Sequence, residues 1–293
     1  MERELTILKR KINSSDIALI NTLIEKHGKR GRTYISKQLC RIWDWRTASG
    51  VYRDIVCRDL LRRLEKRGII QLPPPLTAAR KPGYTNKVKL PKGFKYTPIN
   101  QSLNQFSEIE FFMIRGTSQE GFYNSLIHSF HYLRYHQGSG EQLKYLVKAD
   151  GDVVACIGFG GAAYKVGARD GYIGWDQRQR EQNLSMVVNN TRFLILPWVR
   201  VPNLASFILG HISRKIAGDW RTYYRHEIVL METFVERERF RGSCYKAANW
   251  KHIGHTKGRG RNDRYKRNSL PVKDIYIYPL VKDFRERLLV CTD

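Results

Sequence analysis

The chain has 293 residues, 42% of them apolar, and carries 52 Lys and Arg against 27 Asp and Glu, a net charge of +25. That apolar share is enough for a real core and excludes wholesale disorder, and no apolar run approaches the ~20 residues that span a bilayer. A surplus of this size selects a polyanionic partner, nucleic acid first, because each Lys or Arg on a phosphate backbone releases condensed counterions.

The first hundred residues hold 23 basic and 8 acidic side chains. Within them "SSDIALINTLIEKHG" predicts a helix capped by Ser14 or Ser15 and ended by Gly28. "TYISKQLCRIWDW" predicts a short helix capped near Ser36, and "VYRDIVCRDLLRRLEKRG" a third closed by Gly68. "IIQLPPP" reads as a short strand halted by proline. Helix, short helix, longer helix and strand is the order of a winged helix-turn-helix, expected over residues 1–75. In the third helix Val56, Cys57, Leu60, Leu61 and Leu64 share one face; Arg58, Arg62 and Lys66 lie opposite, with Arg53 at its start. A recognition helix needs that division, one face packed and the other offering cations to duplex DNA. Residues 76–105, rich in Pro, Gly and Lys, read as a basic linker.

From residue 106 the texture becomes α/β. "IEFFMI" is a strand and "QEGFYNSLIHSFHYL" a helix. "EQLKYLVKADGDVVACIGFGGAA" makes two strands about a turn, and "DQRQREQNLSMVV" is helix-prone. "TRFLILPWV" is too continuously apolar for a solvated face and is expected at the sheet centre. "PNLASFILGHISRKIAGDW" is a helix. "EIVLMETFV", "GSCYKAANW", "KHIGHTKG" and "KDIYIYPL" then give strand, short helix, strand or loop, and strand. This order is similar to the GNAT acyltransferase fold, so residues 106–293 are expected to form a GNAT-like mixed-sheet domain of the α/β (α+β) class. In that fold the central strand splays from its neighbour, and acyl-CoA enters the gap with its pyrophosphate at a helix N-terminus.

Several strings together resemble the family of the A subunit of the Druantia anti-phage defence system: "FHYL", "ARDGYIGWDQRQREQNLSMVVNNTRFLILPWVRVPNLASFIL", "METFVERERFRGSCYKAANWKHIGHTKGRGR" and "VKDIYIYPL". The front segment "YISKQLCRIWDW…CRDLLRRLEKRGIIQLPPP" is also similar. The resemblance implies a bacterial cytoplasmic protein acting beside other Druantia-system proteins, a helicase-like subunit among them. It supplies no reaction.

Chemistry is therefore weighed residue by residue. "HIGH" at His252–His255 echoes the ATP-binding signature of class I aminoacyl-tRNA synthetases, but it sits near the end of the sequence with no Lys-rich signature after it. The basic run that follows, with Lys257, Arg259, Arg261 and Arg264, reads as a phosphate-backbone contact. For acyl transfer, Tyr245 matches the position of a tyrosine that protonates a departing thiolate. Arg200 and Asn203 stand where a pyrophosphate loop belongs, without its glycines. His131 is a second candidate catalytic group, or half of a buried pair with Tyr132. Trp198, Asn190, Arg200, Asn203, Asn249, Trp250 and His255 are expected to line the cleft, since tryptophan stacks on bases and asparagine bonds their edges. The scattered cysteines and the pair His128 and His131 complete no metal site. Asp170, Asp176, Glu232 and Glu236 form no nuclease pattern.

The leading expectation is a DNA-binding component of a defence system, recognising nucleic acid or presenting it to partner proteins. A nucleic-acid-modifying enzyme of the acyltransferase type, with acyl-CoA or another nucleotide as cofactor, and a non-catalytic assembly scaffold are the alternatives.

Overall fold

The computed structural model describes residues 5–7, 10–46, 50, 52–76, 88–138, 140–258 and 270–291. The chain divides into two compact units, Met1–Tyr84 and Thr85–Asp293.

The first unit opens with a hairpin of β1 (Leu5–Ile7) and β2 (Arg10–Ile12), followed by α1 (Ser14–His27), α2 (Gly31–Ile42) and α3 (Asp54–Lys66). The cap of α1 is Asn13 rather than Ser14 or Ser15: its side chain accepts from the Asp16 amide at 2.9 Å while Asp16 returns the bond to the Asn13 amide, a reciprocal pair that satisfies two orphan donors. Gly28 does not end the helical path. The chain runs on through a 3-10 turn at Gly28–Arg30, and the change of direction falls at Gly31, φ 81°. Ser36 lies inside α2, its hydroxyl donating to the Thr33 carbonyl. Leu39 and Cys40 of α2 pack with Cys57, Leu60, Leu61 and Leu64 of α3, all fully buried. The strand expected after α3 forms no ladder. Ile70 and Leu72 are buried against the helices, and the Leu72 amide donates to the Glu65 carboxylate at 3.2 Å, so it has no strand partner.

The second unit is a seven-stranded mixed sheet. In chain order it contains β3 (Ile99–Asn100), β4 (Ile109–Met113), α4 (Glu120–Phe130), β5 (Gln142–Ala149), β6 (Asp152–Gly161), α5 (Gly167–Ile173), α6 (Gln177–Asn183) and β7 (Val187–Ile195). It continues with β8 (Val199–Arg200), α7 (Leu204–Tyr224), β9 (Leu230–Glu236), α8 (Ser243–Ala247), β10 (Lys251–His255), β11 (Lys273–Pro279) and α9 (Phe284–Leu289). The sheet order is β10-β11-β9-β7-β6-β5-β4, and β3 pairs separately with β8. Every neighbouring pair in the large sheet is antiparallel except β7 and β9. A parallel pair needs a long crossover, and the 21-residue α7 supplies it, burying Ile208, Leu209, Ile212, Ile216 and Trp220. Part of the segment expected as a linker belongs to this unit: Leu90, Phe94, Ile99 and Leu103 pack on its core.

A charged network lies inside the unit. Arg169 is fully buried; its guanidinium donates to Glu232 at 3.0 Å, to Asp170 at 2.9 Å and to the Ala163 carbonyl at 2.9 Å. The Trp175 indole and the Val166 amide also donate to Asp170, and the Ala163 amide to Glu232. Fully paired charges survive burial, whereas removing one partner strands the others. Arg169→Met is therefore expected to destabilise the protein by about 3–5 kcal/mol, read as a drop in the thermal or denaturant midpoint.

Candidate active site and nucleic-acid surfaces

The site begins where two strands part. β7 runs beside β9 only as far as the pair Asn190 and Thr233. Beyond it β7 stays on β6 while β9 stays on β11. The register of β6 with β7 slips there: Phe159 faces Asn190 but Gly158 faces Arg192, leaving Thr191 as a bulge residue. A bulge bends its strand and sharpens the twist, which carries the rest of β7 away from β9.

The parting point is pinned. Tyr245 of α8 donates its hydroxyl to the Asn190 side-chain oxygen at 2.7 Å. The Asn190 amide group donates to the carbonyls of Gly158 and Arg192. Thr233 donates to the Asn190 backbone carbonyl at 3.1 Å. Burial pushes the Tyr245 phenol above its ordinary range, so it stays protonated and available as a donor.

A cavity of about 560 Å³ fills the gap. Its apolar wall includes Phe130, Leu133, Phe193, Ile195 and Phe234, and Ala205 brings the first turn of α7 to one end. Its charged lining is Arg192, Arg239 and Arg241; no Asp or Glu lines it among the described residues. Arg192 donates to the carbonyls of Arg134 and Thr191, and burial lowers its pKa. Arg239 lies 4.9 Å over the Tyr132 ring and 3.4 Å from Glu236. Tyr132 stacks on His131, with Phe240 tilted against it.

His131 follows the last residue of α4 and lines this cavity. Its Nδ1 accepts from the Leu133 amide at 3.1 Å. Burial first, then the positive charges of Arg192 and Lys273, bring its pKa from 6.5 to about 4. The ring is neutral at neutral pH and carries its proton on Nε2.

The structure thus brings together Tyr245, Asn190 and His131 of the expected site residues. Trp198 faces a different cavity, clasped by Tyr96, Phe94 and Phe130. Trp250 is buried against Tyr245 and Tyr278, its indole nitrogen without a partner among the described residues. Asn249, at φ 63°, is exposed in the turn between α8 and β10, and His255 is exposed at the end of β10. Arg200 is exposed on β8. Asn203 precedes α7 with φ 64° and makes no side-chain cap. Arg192, Arg239, Arg241 and Phe240 went unread in the sequence. The signal for Arg192 was a lone cation in an otherwise apolar run, and for the others the cluster "RERFRG".

An acyl-CoA group, which the strand order implies, fits these residues in outline. The parted strands leave an apolar slot. Asn203 holds the left-handed turn that glycine otherwise provides, and Ala205 offers only a methyl group beside the first turn of α7.

On α3, Arg62 and Lys66 are exposed, and so are Arg53 before it and Arg67 after it. Arg58 is half-buried, bonded to Asp54 at 3.3 Å and to the Thr33 hydroxyl at 3.4 Å. Lys257 is exposed; Arg259, Arg261 and Arg264 lie outside the described residues. No group of His, Cys, Asp and Glu among the described residues can hold a metal ion, and no described helix is long and apolar enough to cross a membrane.

The model of the Druantia protein DruA family matches residues 63–270. The chain belongs to that family. The DruA match spans the end of α3 and the sheet through β10, hence the parted strands and their cavity. No functionally curated protein matches the chain. Among solved structures it is similar to the ribosomal-protein-S18-alanine N-acetyltransferase from Escherichia coli, at 9% identity over 59% of this chain and 94% of that one, TM-score 0.39. An N-acetyltransferase from Staphylococcus aureus Mu50 aligns at 8% identity over 59% of this chain and 99% of that one, TM-score 0.37. An aminoglycoside acetyltransferase in complex with coenzyme A and kanamycin aligns at 11% identity over 61% and 98%, TM-score 0.40. Likenesses so remote add nothing to the site; the mixed sheet is GNAT-like in its own strand order.

The histidine carries a consequence for acid stability. Below 6.5 the unfolded chain takes up a proton that folded His131 refuses until about 4. Its contribution is intact above 6.5 and declines as pH falls through that window, by up to about 3 kcal/mol. His131→Asn is expected to flatten this part of the stability–pH profile, measured by denaturant titration at successive pH values.

Proposed function

We propose that the chain is a nucleic-acid-binding component of a bacterial anti-phage defence system, acting in the cytoplasm with other Druantia-system proteins that include a helicase-like subunit. The carrying observation is the division of α3: Cys57, Leu60, Leu61 and Leu64 are sealed inside while Arg62 and Lys66 stand in solvent, with Arg67 just past its end. A helix built this way lays cations along a phosphate backbone without disturbing its own packing. The helices before it and the charge of +25 support a role like that of a winged helix-turn-helix. The basic run at Lys257, Arg259, Arg261 and Arg264 would add backbone contacts. Duplex DNA affinity is expected to fall steeply with salt. Arg62→Ala combined with Lys66→Ala should weaken it and reduce the slope of log affinity against log salt by about 2. Wild-type affinity and slope in the double variant would remove α3 from the interface.

The cavity between β7 and β9 favours a second reading, an enzyme of the acyl-transfer type acting on nucleic acid. An acyl-CoA, when bound, supplies the activated acyl group. The parted strands would hold its thioester arm, and Arg200 with the first turn of α7 its phosphates. Tyr245 stays protonated at Oη with its hydrogen on Asn190 Oδ1, and it would turn from that bond to give the proton to a departing thiolate. The three arginines would draw the anionic acceptor, and neutral His131 has an acceptor-poor but proton-bearing Nε2 beside them. Under this reading Tyr245→Phe retains acetyl-CoA binding by calorimetry while acetyl transfer to DNA drops about a hundredfold. Absence of acetyl-CoA binding in the wild-type protein would dispose of it.

A further inference from the structure

A second cavity, of about 320 Å³, lies where the 94–99 segment crosses α4 and the turn joining β5 to β6. It is lined by Phe94, Tyr96, Phe122, Leu126 and Trp198, with Lys95, Lys148 and Asp152 among its polar groups. The Trp198 indole is fixed from three sides. Phe94 tilts against it at 5.8 Å, Phe130 meets it edge-on at 5.2 Å, and Tyr96 stacks on it at 4.3 Å with only 16° between the planes. Tyr96 is nevertheless 57% exposed. One face of its ring is spent on Trp198, while more than half of the residue's surface stays open to solvent. The Lys148 ammonium sits 5.0 Å over the Phe112 ring and has no carboxylate within ion-pair distance among the described residues. The Phe130 ring that abuts Trp198 also lines the cavity between β7 and β9. The two cavities are therefore separated by the Phe130–Trp198 contact, the first carrying three arginines and the second Lys95 and Lys148 beside Asp152.

A rigid aromatic shelf beside unpaired lysines is suited to a planar base attached to a phosphate. Two such pockets side by side suit successive units of a strand. We infer that the Tyr96–Trp198 cavity is a nucleotide site that stacks an unpaired base of single-stranded nucleic acid, with Lys95 and Lys148 on its phosphate. This rests on the nucleic-acid reading above, but on different residues from those of α3.

The test is fluorescence anisotropy with a labelled oligodeoxyadenylate, a labelled duplex and deoxyadenosine monophosphate as competitor. Tyr96→Ala is expected to lower affinity for the single strand by about tenfold, Tyr96→Phe to keep it, and neither to alter duplex affinity. Competition by the mononucleotide as strong as by the oligonucleotide would identify a free nucleotide as the occupant of the same pocket; competition by the oligonucleotide alone supports the strand. A Tyr96→Ala protein that binds the single strand like wild type overturns the inference, as does a wild-type protein that binds duplex but not the single strand. Failure to bind either nucleic acid would instead defeat the broader reading. Tyr96 is largely in solvent, so its replacement leaves the core intact, and an unchanged thermal midpoint verifies this.

Discussion

The second unit depends on a hydrogen-bonded knot at Asn190. Two parallel strands that simply diverged would expose a row of unpaired backbone groups, which is costly in a sheet interior. Here the divergence starts at one residue whose side chain answers carbonyls on both sides of the bulge while its own oxygen takes the Tyr245 hydroxyl. Thr233 closes the other strand onto the same residue. The consequence is a gap whose starting point is fixed by backbone pairing and whose walls are the side chains of the parted strands and the end of α4. Arg192 and Phe193 follow immediately after the slip of register at Thr191, and both line the cavity.

Elsewhere in the sheet, at the start of β9, the balance of charge differs. Asp170 and Glu232 answer Arg169, and Arg180 stands 3.6 Å from Asp170. Two cations and two anions cancel within a small volume. This network ties α5 and α6 to β9, fixing the short helices that propensity alone would not hold, since helices of seven residues are marginal by themselves. The interior is close to electrically neutral there, and the lining of the cavity is not. That contrast separates charge used for packing from charge offered to a ligand.

Much of the fold was legible. Apolar runs marked β4 to β7, β9 and β11, α7 read as a helix, and the 3.6-residue spacing in α3 marked which face is buried. Residues 69–72 misled because β-branched residues before prolines resemble a strand, yet a strand needs a partner, and the Glu65 carboxylate took the amide instead. The short α5 and α9 left no strong period. The site was legible only in part. Tyr245 and Asn190 are 55 residues apart and meet through the parallel pairing of β7 with β9, which no local pattern encodes. Trp198 and Trp250 were grouped because tryptophan suits base stacking, but one is a wall of the second cavity and the other is packed in the core. Long-range contact decided each case.

Phe130 gives this arrangement a thermodynamic property. Its ring lines the cavity between β7 and β9 and meets Trp198, a wall of the second cavity, edge-on. An occupant that shifts this ring in one compartment would press on the indole that walls the other, and the two fillings would then be energetically linked. Linkage of this kind is reciprocal: whatever factor the first occupant imposes on the second, the second imposes on the first. The benzyl group packed on the indole is thus the contact through which filling one compartment would be felt in the other.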